Sequence, residues 1–363
     1  MNQKGLVTII SVILVVIIAS LAILTGCSAP ASPTSQNPAG TNSNATSVST
    51  ASQQVYNLKF TDQYTPIMED AKINELLGSL MEEHTGGKVK VTYYHAESLG
   101  KTGDFLNLLD GGVADIASLI TGWFPQSFSF FMGLEIPGTG FTDRGLKLKV
   151  DWELFKAGYL KEFDKYKVLA FNPSPAMNIY MKDNAPTVAS LKGKKIRASN
   201  VTMRAWLENL GTTPVAMASP DVYMALDRGT LDGVYTAYSN FIQQKHFEVA
   251  KNAIWNPMSM GTTLTLMRKP AWDALPADVQ AGIEKAIEAY RIAYVDYYIA
   301  VDAAAVSSLQ QEGVNVYSFE GEEAEKLNEA ANPLKEEWIT SMEAKGLPAR
   351  EMLDKAAEIL ARE

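Results

Sequence analysis

From Tyr56 onward, apolar and polar residues repeat in two alternating rhythms, that of a strand and that of a helix. Leu58-Lys59-Phe60 predicts a short strand. Ile73, Leu76, Leu77, Leu80 and Met81 share one side of a helix predicted over 71–84, which Thr85-Gly86-Gly87 stops. Val89, Val91 and Tyr93 then alternate with Lys88, Lys90 and Thr92, the mark of a half-buried strand. A helix over 103–109, a turn at Asp110-Gly111-Gly112 and a strand over 114–119 continue the series. This βαβαβ succession predicts a mainly parallel sheet with helices on its faces. A second series starts at Asn178, with strands over 178–181, 195–197, 213–216 and 233–235 and helices over 202–210 and 220–227. Two α/β lobes are the simplest account. Val279, Ile283, Ile287, Tyr290, Tyr294, Tyr297, Val301, Ala304 and Leu309 follow helical spacing from Pro276 to about Gln310. No flanking charge pattern of a coiled coil accompanies that stripe, so it predicts one long helix packed along both lobes. Residues 322–363 are charged and helical, with a break near Gly346-Leu347-Pro348.

The amino-terminal pattern is different. Lys4 precedes an apolar run from Leu6 to Thr25, which reads as an export signal and is also long enough to span a bilayer. Leu24-Thr25-Gly26-Cys27 resembles a bacterial lipobox, and that resemblance implies lipidation of Cys27, with an uncleaved helix as the alternative. Either route puts the body outside the cytoplasm. Residues 28–54 are Ser-, Thr-, Ala-, Asn- and Pro-rich and uncharged, the composition of a disordered tether reaching roughly 30 Å.

Composition narrows the function. The chain has 363 residues, enough for two domains sharing a substantial core. Its net charge of -9 argues against a nucleic-acid partner, which needs a basic face, but leaves room for a local cation that binds a carboxylate. Cys27 is the single cysteine, so no internal disulfide forms. His84, His95 and His246 lack ligand spacing, and no metal site or cofactor is expected. G-x-S-x-G, HExxH and P-loop motifs are missing, and no carboxylate pair stands out as an acid–base couple. The expectation is a protein without enzymatic activity.

The stretch LKGKKIRASNVTMRAWLENLGTTPVAMASPDVYMALDRGTLDGVYTAYSN over 191–240 carries the strongest signal. It resembles the solute receptors of tripartite ATP-independent periplasmic (TRAP) transporters. The matching positions are Leu191, Lys192, Gly193, Lys195, Arg197, Leu210, Gly211, Pro214, Tyr223, Ala225, Leu226, Gly229, Asp232 and Gly233. Thr85-Gly86-Gly87, Ser98-Leu99-Gly100, Asp110-Gly111 with Asp115, and Trp272 through Leu275-Pro276 extend the likeness over most of 57–345. The resemblance implies a two-lobe α/β fold of the periplasmic-binding-protein (type II-like) kind, with crossing hinge strands and one long spanning helix. It also implies a receptor that closes on a small organic acid and presents it to TRAP membrane permease subunits. Lobe I is expected over 55–173 plus about 263–302, and lobe II over 174–262 plus about 303–363.

By that resemblance Arg197 forms a two-pronged salt bridge with the ligand carboxylate. The chemistry agrees, because a planar guanidinium fits a carboxylate bidentately and keeps its charge when buried. Sialic-acid receptors of the family carry Glu-Asn after Asp-Gly, where this chain has Val234-Tyr235, and no second arginine lies in 172–181. Tyr235, Thr236 and Tyr238 offer hydroxyls and ring faces, with core packing as their alternative. Ligands in open α/β sheets sit beyond the carboxyl ends of strands, which nominates Gln63 and Tyr64 after the first strand and Thr121 and Trp123 after the third. Two rival functions stay open: a receptor of an ATP-driven importer or sensory system, and a secreted enzyme acting on a carboxylated substrate.

Overall fold

The computed structural model describes residues 54–362 apart from Thr142. The export signal, Cys27 and nearly all of the expected tether lie outside the described residues. Lobe I opens with β1 (Tyr56–Thr61), α1 (Glu69–His84), β2 (Val89–Tyr94), α2 (Phe105–Asp110) and β3 (Ile116–Ile120), followed by α3 (Arg144–Lys156) and β4 (Tyr166–Pro173). The chain then crosses to lobe II through β5 (Met177–Met181), β6 (Lys195–Arg197), α4 (Val201–Asn209), β7 (Thr213–Val215), α5 (Val222–Asp227), β8 (Gly233–Ala237), α6 (Tyr238–Gln243) and β9 (Asn252–Ser259). It returns through β10 (Thr262–Arg268) and α7 (Lys269–Asp273), and α8 (Ala277–Gln311) then spans both lobes. β11 (Asn315–Tyr317), α9 (Glu322–Glu343) and α10 (Ala349–Leu360) end the fold.

The first sheet has the order β2-β1-β3-β10-β4 and the second β11-β9-β5-β8-β6-β7. β1 is parallel to β2 and β3, as the βαβαβ pattern predicts, whereas β10 runs antiparallel between β3 and β4. β3 (IASLI) is buried almost throughout, which is why it is apolar rather than alternating. In the second sheet side chains alternate as a sheet covered on both faces requires. Ile179, Ile196 and Tyr235 enter one apolar cluster, while Tyr180 and Val234 enter another on the opposite face.

α8 is the long spanning helix of the expected fold. Its residues from Val279 to Tyr298 bury in the lobe I core, and Leu309 buries in lobe II. Gly282 lets it lie against the end of α1, because a β-carbon there would fall 2.7 Å from the His84 carbonyl oxygen. The expected division of the tail needs correction. α9 starts in the lobe II core with Leu327, Ala330 and Ala331 but ends in that of lobe I with Ile339 and Met342. α10 buries Ala349, Met352, Ala356 and Ile359 in lobe I as well. The apolar stripe of residues 339–359 therefore belongs to lobe I, where α3 offers it a partner.

Candidate functional site

Two hinge crossings join the lobes. One crossing joins β4 to β5 and the other joins β9 to β10. They are clasped where Ser174 N–H donates to the Gly261 carbonyl at 2.8 Å and Gly261 N–H donates to Ser174 Oγ at 3.0 Å.

Arg197 ends β6 and retains 8% of its surface exposure. Its Nε donates to the Met217 carbonyl at 3.0 Å. Among the described residues no carboxylate pairs with it. Loss of hydration pulls its pKa below the usual guanidinium value, so the fold bears the cost of an uncompensated cation. His246 lies nearby, 1% exposed, with neither ring nitrogen bonded. Burial first, and the Arg197 charge second, push its pKa down to about 4, which leaves it neutral. The buried side chains of Asn178 and Tyr180 lie on the same face of the sheet as Arg197. Unpaired buried polar groups are uncommon in folded proteins, and both ring nitrogens of His246 are of this kind.

The other nominated residues divide. Thr236 lines lobe II with its hydroxyl 3.3 Å from Asn240 Oδ1. Tyr238 is half-buried and borders a cavity of about 460 Å³. Gln63 projects a buried amide with neither nitrogen nor oxygen bonded, and Tyr64 places its hydroxyl 3.4 Å from Thr263 Oγ1. Trp123 is 63% exposed, so most of its surface faces solvent. Tyr235 and Thr121 require correction as ligand contacts. Tyr235 is on the sheet face opposite Arg197, packs 5.0 Å from the Trp206 ring, and bonds Ser259 Oγ at 2.8 Å. A single step along β8 reverses the side-chain direction, which is why Tyr235 turns into the core. Thr121 is fully buried, and its hydroxyl lies 2.6 Å from Glu135 Oε1.

The 460 Å³ cavity is lined by the hinge (Pro175, Ala176), by Tyr238 and Trp255 of lobe II, and by Val295 and Ile299 of α8. Arg197 is not among its lining residues. Arg144 is, at the start of α3, where it donates to Asp302 at 3.0 Å and lies 3.8 Å over the Tyr298 ring. Arg144 escaped the sequence reading, as did the cavity role of Trp255. The one available sign was Asp143, a good helix-capping residue, whose side chain accepts from Leu146 N–H. Among the described residues no group of three or more metal-ligating side chains gathers.

Comparison with known proteins agrees with this architecture. Residues 60–341 match the family described as bacterial extracellular solute-binding protein, family 7. The uncharacterized protein YiiZ of Salmonella typhimurium is 29% identical over 218 residues, 59% of this chain and 66% of that protein. The C4-dicarboxylate-binding periplasmic protein DctP of Rhodobacter capsulatus is 27% identical over 242 residues, 63% of this chain and 70% of that protein. Among solved structures, an open complex of a TRAP periplasmic solute-binding protein from Desulfovibrio salexigens superposes with a TM-score of 0.79 at 23% identity, covering 84% of this chain and 95% of that one. A marine-metagenome TRAP protein specific for aromatic acids, in complex with 3-hydroxybenzoate, gives 0.72 at 23% identity, covering 85% and 99%. These receptors are extracytoplasmic and work with TRAP membrane permease components. The chain belongs to the bacterial extracellular solute-binding proteins of family 7, the ligand receptors of TRAP transporters.

Proposed function

We propose that the protein captures a small organic carboxylate between its lobes, with Arg197 gripping the acid group, and releases it to a TRAP permease. One observation carries the reading: a guanidinium withdrawn from water with no carboxylate partner among the described residues. A buried cation of this kind gains charge-assisted hydrogen bonds only when an anion arrives. Gln63, Tyr64, Thr236 and Tyr238 supply polar contacts, and Trp123 becomes a cover when the lobes close. Closure follows if the ligand binds the closed form more tightly, since equal affinity for both forms shifts nothing. Acylation of Cys27 would hold the receptor at the outer face of the cell membrane. Several TRAP receptors of the same fold hold aromatic acids, which makes an acid with an aromatic body a candidate ligand.

A thermal-shift screen across small carboxylates tests the class, because a ligand at 100 times its Kd adds about 2.7 kcal/mol of stability. Calorimetry of Arg197→Ala with the best acid of that screen then tests the residue. Loss of binding in a variant that melts normally is expected. Undiminished affinity in that folded variant refutes the assignment.

A further inference from the structure

The chain leaves β1 at Asp62, whose side chain is fully buried. Three donors converge on its carboxylate: Tyr64 N–H at 3.0 Å, Asn74 Nδ2 of α1 at 2.9 Å, and His95 Nδ1, just past β2, at 2.9 Å. A carboxylate only accepts, so His95 Nδ1 carries the hydrogen. The ring is itself fixed. It stacks on Tyr93 with centroids 5.3 Å apart, and its Nε2 lies 3.2 Å from Glu75 Oε1.

The backbone repeats this tie. Ala96 N–H donates to the Tyr64 carbonyl at 2.8 Å and Glu97 N–H to the Asp62 carbonyl at 3.0 Å. Both donor residues sit in the left-handed region, at φ of 53° and 59°, which a residue with a β-carbon enters at a cost. Such strain lasts only where the surroundings impose it. The Glu97 carboxylate does so here, accepting from Thr102 N–H at 2.9 Å and from the Thr102 hydroxyl at 2.6 Å. Burying a charged group is also unfavourable. Both penalties fall on one turn, residues 62–64, which presents Gln63 and Tyr64. Tyr64 lines a small cavity with Pro173, Ser174 and Pro175, where β4 crosses to β5.

We propose that Asp62 and His95 are positioning residues of the ligand site. They set the turn so that Gln63 and Tyr64 meet the body of the acid whose carboxylate Arg197 grips, and they act only through those two side chains. The proposal rests on the receptor reading given above.

Calorimetry of the full chain tests it, with the tightest binder among screened carboxylates, starting from benzoate and succinate. Asn carries its side-chain amide nitrogen at the position of imidazole Nδ1, and Gln carries its own at that of Nε2. His95→Asn is therefore expected to keep the wild-type Kd, and His95→Gln to raise it about tenfold through the lost bond to Asp62. In a Gln63→Ala/Tyr64→Phe background the two His95 variants should bind alike, because nothing is left to position. A bond that merely supports the fold would lower the melting temperature and leave Kd unmoved. Equal Kd for the two variants overturns the proposal, and so does a gap that persists undiminished in that background. Should His95→Gln fail to fold, Asp62→Asn takes its place in the same cycle, with the same outcomes. An acid that Arg197→Ala loses, but that both His95 variants hold equally, breaks this proposal alone. A chain that binds no acid breaks the receptor reading and takes this one with it.

Discussion

Lys147 in lobe I and Arg197 in lobe II are both cations withdrawn from water, and they differ in what stands opposite. Lys147 has Asp151 at 2.5 Å, Thr262 Oγ1 at 3.1 Å and the faces of Phe131 and Phe141 about 5 Å away. Arg197 has one backbone carbonyl, a neutral histidine and no carboxylate among the described residues. Burial alone does not separate structure from function; the state of the partner does. A cation satisfied from within is a fixed part of its core, whereas one left unsatisfied is stabilised when a ligand supplies the missing charge.

Breaking the satisfied partner should produce the largest effect. Lys147→Met leaves Asp151 buried and uncompensated beside Glu135, which by the behaviour of buried ion pairs costs about 3–5 kcal/mol. Chemical denaturation should show a lower midpoint at unchanged slope. Lys147→Met combined with Asp151→Leu should recover most of the loss, because no charge is then stranded. A single variant within about 1 kcal/mol of wild type would show that the pair is not held as described.

Next in size is an acid-side effect next to Arg197. His246 titrates near 4 when folded and near 6.5 when unfolded, so the unfolded chain binds a proton that the folded chain refuses. Stability from this residue is complete above about 6.5 and falls by about 3 kcal/mol as pH drops to 4. Subtracting the His246→Phe melting curve from that of wild type isolates this term from those of other titrating groups. Arg197→Met should narrow the window, since the guanidinium is the second cause of the shift. An unaltered window would mean that the two side chains do not sense each other.

What could be read from the sequence follows the same division. Period and punctuation reveal β1 to β3, the lobe II strands β5 to β8 and the long α8, through apolar runs bounded by Gly and Asp turns and, in α8, a long apolar stripe. α3 was hidden. Its sequence RGLKLKVDWELFK places Lys147 and Asp151 where apolar residues would mark a core helix, and only their i,i+4 spacing hinted at a pair. β10 gave no signal of its antiparallel course, since strand direction depends on the hinge crossing and not on local pattern. Arg197 was legible through the motif around it. For Tyr235 the sequence leaves ligand contact and core packing open, because a motif locates a residue along a strand without stating which way its side chain turns, and the structure turns it into the core. Glu135, in a short turn between phenylalanines and prolines, carried no periodic context at all.

Third comes the stability of the site itself. Arg197→Met removes a cation for which the ligand-free fold makes little compensation, and the methionine stem occupies similar space. Its melting temperature should match or exceed that of wild type, within about 1 kcal/mol. A marked loss would mean that Arg197 braces lobe II through Met217, and the contrast with Lys147 would then fail.

The smallest effect belongs to a cation that has a partner and remains in water. Lys88 reaches Asp278 at 2.5 Å, the same distance as Lys147 to Asp151, but the side chains retain 34% and 61% of their exposure. Water already solvates both ions, salt screens them, and holding two flexible chains together costs entropy. Lys88→Ala should therefore change stability by no more than about 0.2–1 kcal/mol, and the difference should fade in high salt. A loss near that of Lys147→Met would mean that proximity rather than dehydration governs these pairs. In that case the absence of a carboxylate beside Arg197 would no longer mark it as a ligand site.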